Sequence, residues 1–368
     1  MNIEIEKKDL ISLIGKTLNI VEKKNTMPIL INVLIEATED KLNVYATDLE
    51  VSITDSVKAK IFGLGKVVVS AKNLFEIARE LNEAPITLAK KENNWLEIKQ
   101  DKYHSKIVGI SSEEYPIFPS HSGENMIELP AGVLREMIDK TIYSVSTDET
   151  RYHLNGVYFE VNQNQGLKMV ATDGHRLSLI HRNYDKVGLS ISHGVIIPRK
   201  GLNEIKKIIE GTTELVRLSI EGSQLILVQG NTVLMIRLIE AKYPNYHQFI
   251  PQTSTQIVGV DREAFLTSIR RVALLANQKS KAILLILSKG KMEVTTNNPE
   301  VGDASQGIEI DYQGNEMRIG FNAKYISDVL SNISDDRVEL ELNDQLSPGL
   351  IRPSGDSTYI CVVMPMRV

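Results

Sequence analysis

One plan is written three times along this chain, and that repetition limits its possible folds more than any other feature. The strand-and-turn block Leu42-Asn43-Val44-Tyr45-Ala46-Thr47-Asp48 returns as Leu167-Lys168-Met169-Val170-Ala171-Thr172-Asp173. It returns again as Met292-Glu293-Val294-Thr295-Thr296-Asn297-Asn298, each time at an offset of 125. Ahead of each block runs an apolar stripe on one helix face. Leu10, Ile14, Leu18 and Val21 recur as Leu134, Ile138, Ile142 and Val145, then as Phe265, Ile269, Ala273 and Ala276. Behind each block runs a second stripe: Leu74, Ile77, Ala78 and Leu81; Leu202, Ile205, Lys206 and Ile209; Ile326, Val329, Leu330 and Ile333. Short alternating segments precede all six stripes, and Tyr115-Pro116 recurs as Tyr243-Pro244, 128 residues later.

Each unit therefore reads strand, helix, several strands, helix, several strands. Three units of about 123 residues fill the 368-residue chain, which is too long a period for a solenoid and about right for whole domains. The polar segments 120–123 and 252–255 look like connections, so we expect domains at 1–122, 123–253 and 254–368. Strands dominate and each unit has two helices, which gives an α+β class with antiparallel sheets.

Charge adds a second clue. The chain has 42 Lys and Arg against 47 Asp and Glu, a net charge of −5. That excludes an overall basic coat but not a local basic face. The six helical windows (7–24, 70–83, 131–151, 199–210, 262–281 and 323–333) hold 20 basic and 13 acidic residues, leaving −12 on everything else. Basic helices in an acidic protein point one face at a polyanion. Lys72, Lys200 and Lys324 each stand two residues before the second stripe. A cation there opposes the helix dipole by a few tenths of a kcal/mol. Phosphate outside the protein is one explanation; ordinary exposed lysines inherited with the repeat are the other.

Signatures of catalysis fail in turn. Phe62-Gly63-Leu64-Gly65-Lys66 lacks the spacing of a phosphate loop and precedes a strand, so it reads as a turn. The seven histidines form no metal-ligand spacing, and no nucleophile elbow occurs. Cys361, the one cysteine, lies in the apolar run Tyr359-Ile360-Cys361-Val362-Val363 and reads as a buried inert thiol in a reducing compartment. Asp48 and Asp173 could tempt a metal-nuclease reading, but the same slot is Asn298 in the third unit, and an Asx turn accounts for all three. The start of the chain alternates apolar and acidic residues unlike a signal peptide, and the longest apolar run, 282–287, is far short of a membrane span.

Two places depart from the plan. After the shared slot the first unit has Leu49-Glu50 and the third Pro299-Glu300, but the second alone has Gly174-His175-Arg176. A structural need acts on all copies, so a departure in one marks either a local task or a hairpin cap. The chain ends Val363-Met364-Pro365-Met366-Arg367-Val368: either an adaptable apolar surface or a sealing strand interrupted by proline.

Several motifs then converge. Thr26-Met27-Pro28-Ile29-Leu30, Ala46-Thr47-Asp48-Leu49-Glu50, Arg151-Tyr152-His153-Leu154-Asn155-Gly156, Ala171-Thr172-Asp173-Gly174-His175-Arg176-Leu177, Ile197-Pro198-Arg199-Lys200-Gly201 and Val363-Met364-Pro365-Met366-Arg367 stand in order over the whole chain. Together they resemble the bacterial DNA polymerase III beta subunit family, the sliding clamps. The resemblance implies a cytoplasmic, non-catalytic processivity factor without cofactor or metal. It implies three clamp domains per chain and a head-to-tail homodimer, a six-domain ring around duplex DNA held without regard to sequence. The expected partners are the DNA polymerase III alpha subunit, the clamp loader, and other polymerases and repair proteins that carry a short clamp-binding motif.

The resemblance also assigns residues. It implies a peptide pocket between the second and third domains lined by Leu154, Thr172, Gly174, His175, Arg176, Leu177, Pro244, Phe249, Val363, Met364, Pro365, Met366 and Arg367. Gln248 and Phe249 depart from the residues usual in relatives. DNA contacts map to Lys24, Lys72, Tyr152, His153, Arg199 and Lys200, with Asp148-Glu149 an acidic departure in a DNA-facing loop. The dimer seam maps to Ile107, Leu274 and Leu275. The rival readings are a metal-dependent nuclease and a three-domain scaffold that does not encircle DNA.

Overall fold

The structure is a computed structural model that describes residues 1–21, 27–116, 118, 122–123, 125–162, 166–184 and 194–367. Among these residues are six α-helices: α1 (Lys7–Gly15), α2 (Ala71–Glu80), α3 (Ala131–Ile142), α4 (Arg199–Ile208), α5 (Arg262–Val272) and α6 (Ala323–Ser331). They fall two to a repeat, as the stripes require. The helices stop short of the sequence windows. Beyond α1 the stripe runs on through turns, in which the Thr17 hydroxyl donates to Ile14 O (2.7 Å) and Ile20, not Val21, is fully buried. Side-chain caps start three helices: Ser70 accepts from Asn73 N, Asp261 from Ala264 N and Asn322 from Lys324 N.

Among the described residues every strand pairing is antiparallel. The chain divides into two compact units that do not follow the repeats: Met1–Gly132 with Lys200–Leu238, and Val133–Arg199 with Ile239–Val368. The cause is backbone pairing between successive repeats. In the first unit, strand Val51–Lys58 pairs with Thr232–Arg237 (Ile53 opposite Leu234), which joins strands of both repeats into one nine-stranded sheet. In the second unit, Arg176–Arg182 pairs with Tyr359–Val363 (Ser178 opposite Cys361) within a twelve-stranded sheet. The joining strands bury Val51, Ile53, Leu234 and Ile236 at one junction and Leu177, Ile180, Val362 and Val363 at the other. Each such aliphatic contributes about 1.5–3 kcal/mol relative to exposure.

Buried polar groups fix both junctions. At the first, Lys16 Nζ meets Asp55 Oδ2 at 2.6 Å and the Thr232 hydroxyl donates to the same oxygen at 3.0 Å. Lys200 Nζ lies 2.5 Å from Asp48, whose side chain is 4% exposed. At the second, Arg182 joins Glu136 (2.5 Å) and Asp356 (2.9 Å). Tyr143, Tyr359, Ser178 and Cys361 share a buried hydrogen-bonded cluster, where burial pushes the Cys361 thiol above its ordinary pKa.

Among the described residues several strand sides are unpaired, two of them at matching places in the repeat plan. Strand Tyr103–Ile107 is the last of a five-stranded sheet in the first unit. In the second unit, Gly302–Asp311 pairs with Lys291–Asn298 along 302–309, while its other side meets Gln256–Asp261 only at Ile310 and Asp311.

Candidate functional site

The second repeat's departure sits on a turn whose wiring the first repeat shares in full and the third in part. Asp173 Oδ1 accepts from His175 N (2.9 Å) and Arg176 N (3.0 Å), and Thr172 Oγ1 accepts from Gly174 N (3.1 Å). In the first repeat Asp48 Oδ1 accepts from Glu50 N and Val51 N, and Thr47 Oγ1 from Leu49 N. In the third, Asn298 Oδ1 accepts from Glu300 N at 3.2 Å. The expected Asx turns are therefore present, with one side-chain oxygen of each residue, Oδ1, committed to backbone amides. Among the described residues no group of three or more His, Cys, Asp or Glu could hold a metal ion. Gly174 takes φ +87°, a conformation open to glycine and strained for other residues.

Above this turn lies a concavity of about 480 Å³, lined by Leu154, Thr172, Gly174, His175, Arg176, Leu177, Pro244, Phe249, Val362 and Met364. Its floor is a buried cluster that includes Leu154, Leu177, Leu179, Tyr243, Tyr246 and Val362. The rings of Tyr158 and Tyr243 stack at 4.8 Å. The Tyr243 hydroxyl accepts from Thr172 N (3.1 Å), and burial pushes its pKa above the ordinary phenol range. Tyr246 donates to Glu160 at 2.6 Å. Phe249 and Met364 stand at the rim, 40% and 37% exposed. The space suits apolar side chains steered by few polar groups.

Nine of the thirteen pocket residues named from sequence line this space. Val363 does not, and the correction follows from strand parity: alternate residues face opposite sides. Val362 and Met364 therefore share the groove face, while Val363 is buried on the other. Pro365, Met366 and Arg367 also lie outside the lining. Met364 N donates to His175 O (2.9 Å), the chain passes Pro365, and Met366 N donates to Gly320 O (2.8 Å). The terminal residues thus run from the groove to the strand Met317–Asn322. Gln248 is exposed and outside the lining.

One side chain of the lining is held with unusual completeness. Arg176, 7% exposed, donates from Nε to Asp173 (3.1 Å), from Nη1 to Asp328 (2.6 Å) and from Nη2 to Tyr143 O (2.5 Å). Its guanidinium lies 4.6 Å from the ring centre of Tyr325 and 5.4 Å from that of Tyr143. Asp328 in α6 is also met by Lys324 at 2.7 Å. Tyr325 and Asp328 were missed from sequence; only their place on the helix with Lys324 could have flagged them.

The residues mapped to DNA are placed variously. Lys24 lies outside the described residues. Lys72 is exposed in α2, 3.5 Å from Glu76, and Arg199 is exposed at the start of α4. Tyr152 is 57% exposed, with the His153 ring edge-on at 5.9 Å. Asp148 accepts from Thr150 N and pairs with Arg151 (3.0 Å), so this acidic loop is internally tied. Lys72, Lys200 and Lys324 each have a carboxylate of this chain nearby: Glu76, Asp48 and Asp328. Their counter-charges are thus supplied from within. Of the seam residues, Ile107 ends the open strand Tyr103–Ile107. Leu274 is 76% exposed just past α5, and Leu275 lies beside Gly302 at the start of the other open strand.

Comparison with known proteins covers the whole chain. Residues 1–119, 128–245 and 247–367 match the N-terminal, central and C-terminal domains described for the DNA polymerase III beta subunit. A beta sliding clamp of Caulobacter vibrioides is 33% identical over 373 residues, with both chains fully covered. The crystal structure of the DNA polymerase III subunit beta from Pseudomonas aeruginosa superposes with a TM-score of 0.95 at 30% identity, again with full coverage of both. A C. crescentus beta sliding clamp, with polyethylene glycol bound to a putative beta-motif tethering region, gives 0.94 at 32% identity, covering all of this chain and 99% of the other.

Proposed function

This chain belongs to the DNA polymerase III beta subunit family, and we propose that two copies close head to tail into a ring around duplex DNA. It is a sliding clamp, a processivity factor and not an enzyme. Its task is topological: a closed ring is retained on DNA without tight or sequence-specific contacts. Phosphate contacts should then be few and salt-sensitive, and base readout absent. A polymerase held by the ring stays near its template, an effective-concentration effect. The cytoplasm, where replication proceeds, is the corresponding location.

The two open edges carry the ring reading. In the first two repeats, the strand after the shared turn pairs with the last strand of the next repeat. The equivalent strand of the third repeat, Gly302–Asp311, lacks such a partner along 302–309, and the last long strand of the first repeat, Tyr103–Ile107, has a free side. Pairing these edges between two copies repeats the internal rule and closes a heterologous contact into a ring. The charges are complementary: Lys102 and Lys106 lie on one edge, Glu300, Asp303 and Glu309 on the other. Ile107, Leu274 and Leu275 would supply the apolar part of that seam. Domain limits at 1–122, 123–253 and 254–368 place every closing strand inside one repeat.

The groove above the Asp173 turn is the proposed seat of the short motif of clamp-binding proteins: the polymerase alpha subunit, the clamp loader, other polymerases and repair proteins. An apolar concavity with a firm floor suits one or two apolar anchors from an extended peptide. Exposed Tyr152, Arg199 and Lys72 are proposed for the DNA face, with His153, Lys200 and Lys24. The test is to load the protein onto nicked circular DNA with a clamp loader and ATP, then cut the circle. Retention at moderate salt on the circle and loss on cutting support the ring. Equal retention on both forms, or a solution mass near 41.2 kDa, overturns it.

A further inference from the structure

The segment Phe62-Gly63-Leu64-Gly65-Lys66 reads as a plain turn in sequence, yet it puts two large apolar side chains in water. Phe62 is 64% exposed and Leu64 63%. Exposure alternates from residue 60 to 66, so Lys60, Phe62, Leu64 and Lys66 form one outward stripe. The third repeat makes the matching connection, between Gly302–Asp311 and Met317–Asn322, from Tyr312-Gln313-Gly314-Asn315-Glu316. There Gln313, Asn315 and Glu316 face outward, while Tyr312 is buried and its hydroxyl donates to Asn315 O at 2.7 Å. Residues 185–193 of the second repeat lie outside the described residues. The scaffold is thus satisfied by a polar connection, and exposing Phe62 and Leu64 forgoes about 1.5–3 kcal/mol of burial for each. Such a departure marks an interaction surface.

Charge and backbone say what fits it. At one end Lys60 is matched by Glu4 at 2.6 Å. At the other, Lys90 Nζ donates to Lys66 O at 3.0 Å, which holds two cations together, and among the described residues no carboxylate pairs with either. The strand Lys60–Gly63 is the edge of its five-stranded sheet and pairs only with Asn2–Glu6, so one side of its backbone is open. A second copy paired antiparallel about Gly63 would set Lys60 against Lys66, an unfavourable contact. A broad anionic membrane would meet Glu4, Glu6 and Asp40, which share a concavity with Lys58 and Lys60. A narrow segment avoids both conflicts. We propose that this stripe, in the other compact unit from the groove, is a second protein-docking site. Its occupant is an extended segment that joins the Lys60–Gly63 edge, sets apolar side chains beside Phe62 and Leu64, and points an acidic one at Lys66 and Lys90.

The experiment selects binders of the full chain from a displayed library of random dodecapeptides. Fluorescence anisotropy then compares the selected peptides on the wild type and on Phe62→Ser with Leu64→Ser, exposed changes whose folding thermal melts confirm. One class of peptides should bind the wild type at least about tenfold more tightly than the double variant. Its members should carry alternating apolar residues and a nearby Asp or Glu. Replacing that acid with Lys should weaken binding to the wild type about tenfold and restore it on Lys66→Glu, a charge swap that a merely structural role would not produce. Peptides of the groove bind both proteins equally and form a separate class, so the groove reading stands or falls apart from this one. The proposal is overturned if every selected peptide binds the double variant as well as the wild type, or if the charge swap moves nothing. It is also overturned if Phe62 and Leu64 serve only to hold the protein on vesicles of phosphatidylglycerol, which makes the stripe a membrane contact. Self-association lost in the double variant, without such peptides, assigns the stripe to a second copy and overturns it too.

Discussion

The turn at Asp48 and the turn at Asp173 have the same hydrogen-bond wiring, and each lies where one repeat's sheet continues into the next. Each meets a charged residue from the second helix of the following repeat. The signs are reversed. At the first junction the turn offers a carboxylate, Asp48, and α4 answers with Lys200. At the second the turn's own acid is matched locally by Arg176, and α6 answers that arginine with Asp328. The first arrangement completes an ion pair at a joint. The second buries a planar cation among two acids and two rings at the base of an apolar groove. One duplicated scaffold thus supports a fastening in one copy and the proposed recognition surface in another, and the two turns differ at three consecutive residues, Leu49-Glu50-Val51 against Gly174-His175-Arg176.

The largest effect expected on this comparison comes from Arg176→Ala. It leaves Asp173 and Asp328 facing each other, part-buried, without their shared cation. Removing one member of such a set costs about 3–5 kcal/mol. Urea unfolding should show that loss, with peptide binding at the groove abolished. A loss below about 1 kcal/mol would mean that the Asp173-Arg176-Asp328 set contributes no more than a surface ion pair.

Lys200→Ala tests the other turn. Asp48, 4% exposed, keeps its turn amides but loses its cation, while Lys200 itself was 28% exposed. Solvent already weakens this pair, so the expected loss is smaller, about 1–3 kcal/mol. Peptide binding should stay unchanged, because Lys200 and Asp48 belong to the other compact unit. A fall in peptide affinity would show that the two turns do not act separately.

How much of this could be read beforehand depends on how local the cause was. The block Leu42–Asp48 and its two copies became the strands Lys41–Thr47, Gly166–Thr172 and Lys291–Asn298, because alternation and turn chemistry act within a few residues. The groove's turn half was legible for the same reason, since Gly174, His175 and Arg176 announce themselves by breaking the repeat. Val362 was missed because the facing side of a strand depends on its register with Arg176–Arg182, which no short pattern fixes. The sheet continuation across repeats left no mark, since ladder pairing is made by backbone that every residue shares. Asp328 lies 152 residues from Arg176 and Asp48 lies 152 from Lys200, separations that no short sequence pattern links.

Acid should loosen the second junction at its far end. Arg182 holds the Glu136 carboxyl below its ordinary pKa. Burial works against the lowering of Asp356, but the Thr358 hydroxyl and amide, with Arg182, still bring it below the ordinary value. Carboxyls depressed on folding contribute stability above their unfolded pKa, near 4, and lose it as pH falls through the lower folded values. Stability measured by urea should therefore drop below about pH 4.5, and Glu136→Gln with Asp356→Asn should flatten that limb. The effect should stay below that of Lys200→Ala, because these side chains are 35% and 23% exposed. An identical limb in the double variant would place the acid sensitivity elsewhere, for example at Glu97, which His104, Lys91 and Lys99 hold down to about 2.

The smallest effect isolates the backbone difference between the two turns. Leu49 takes φ +77° where its counterpart Gly174 takes +87°. A left-handed residue with a side chain costs about 1–2 kcal/mol, while glycine costs about 0.5–1 kcal/mol in unfolded-chain entropy. Leu49 is 53% exposed, so removing its side chain forfeits little burial. Leu49→Gly should therefore stabilise the protein by about 0.5 kcal/mol, seen as a higher urea midpoint with an unchanged slope. A lower midpoint would mean that the Leu49 side chain contributes more than the strain it imposes, and that the first turn kept its leucine for contact rather than by inheritance.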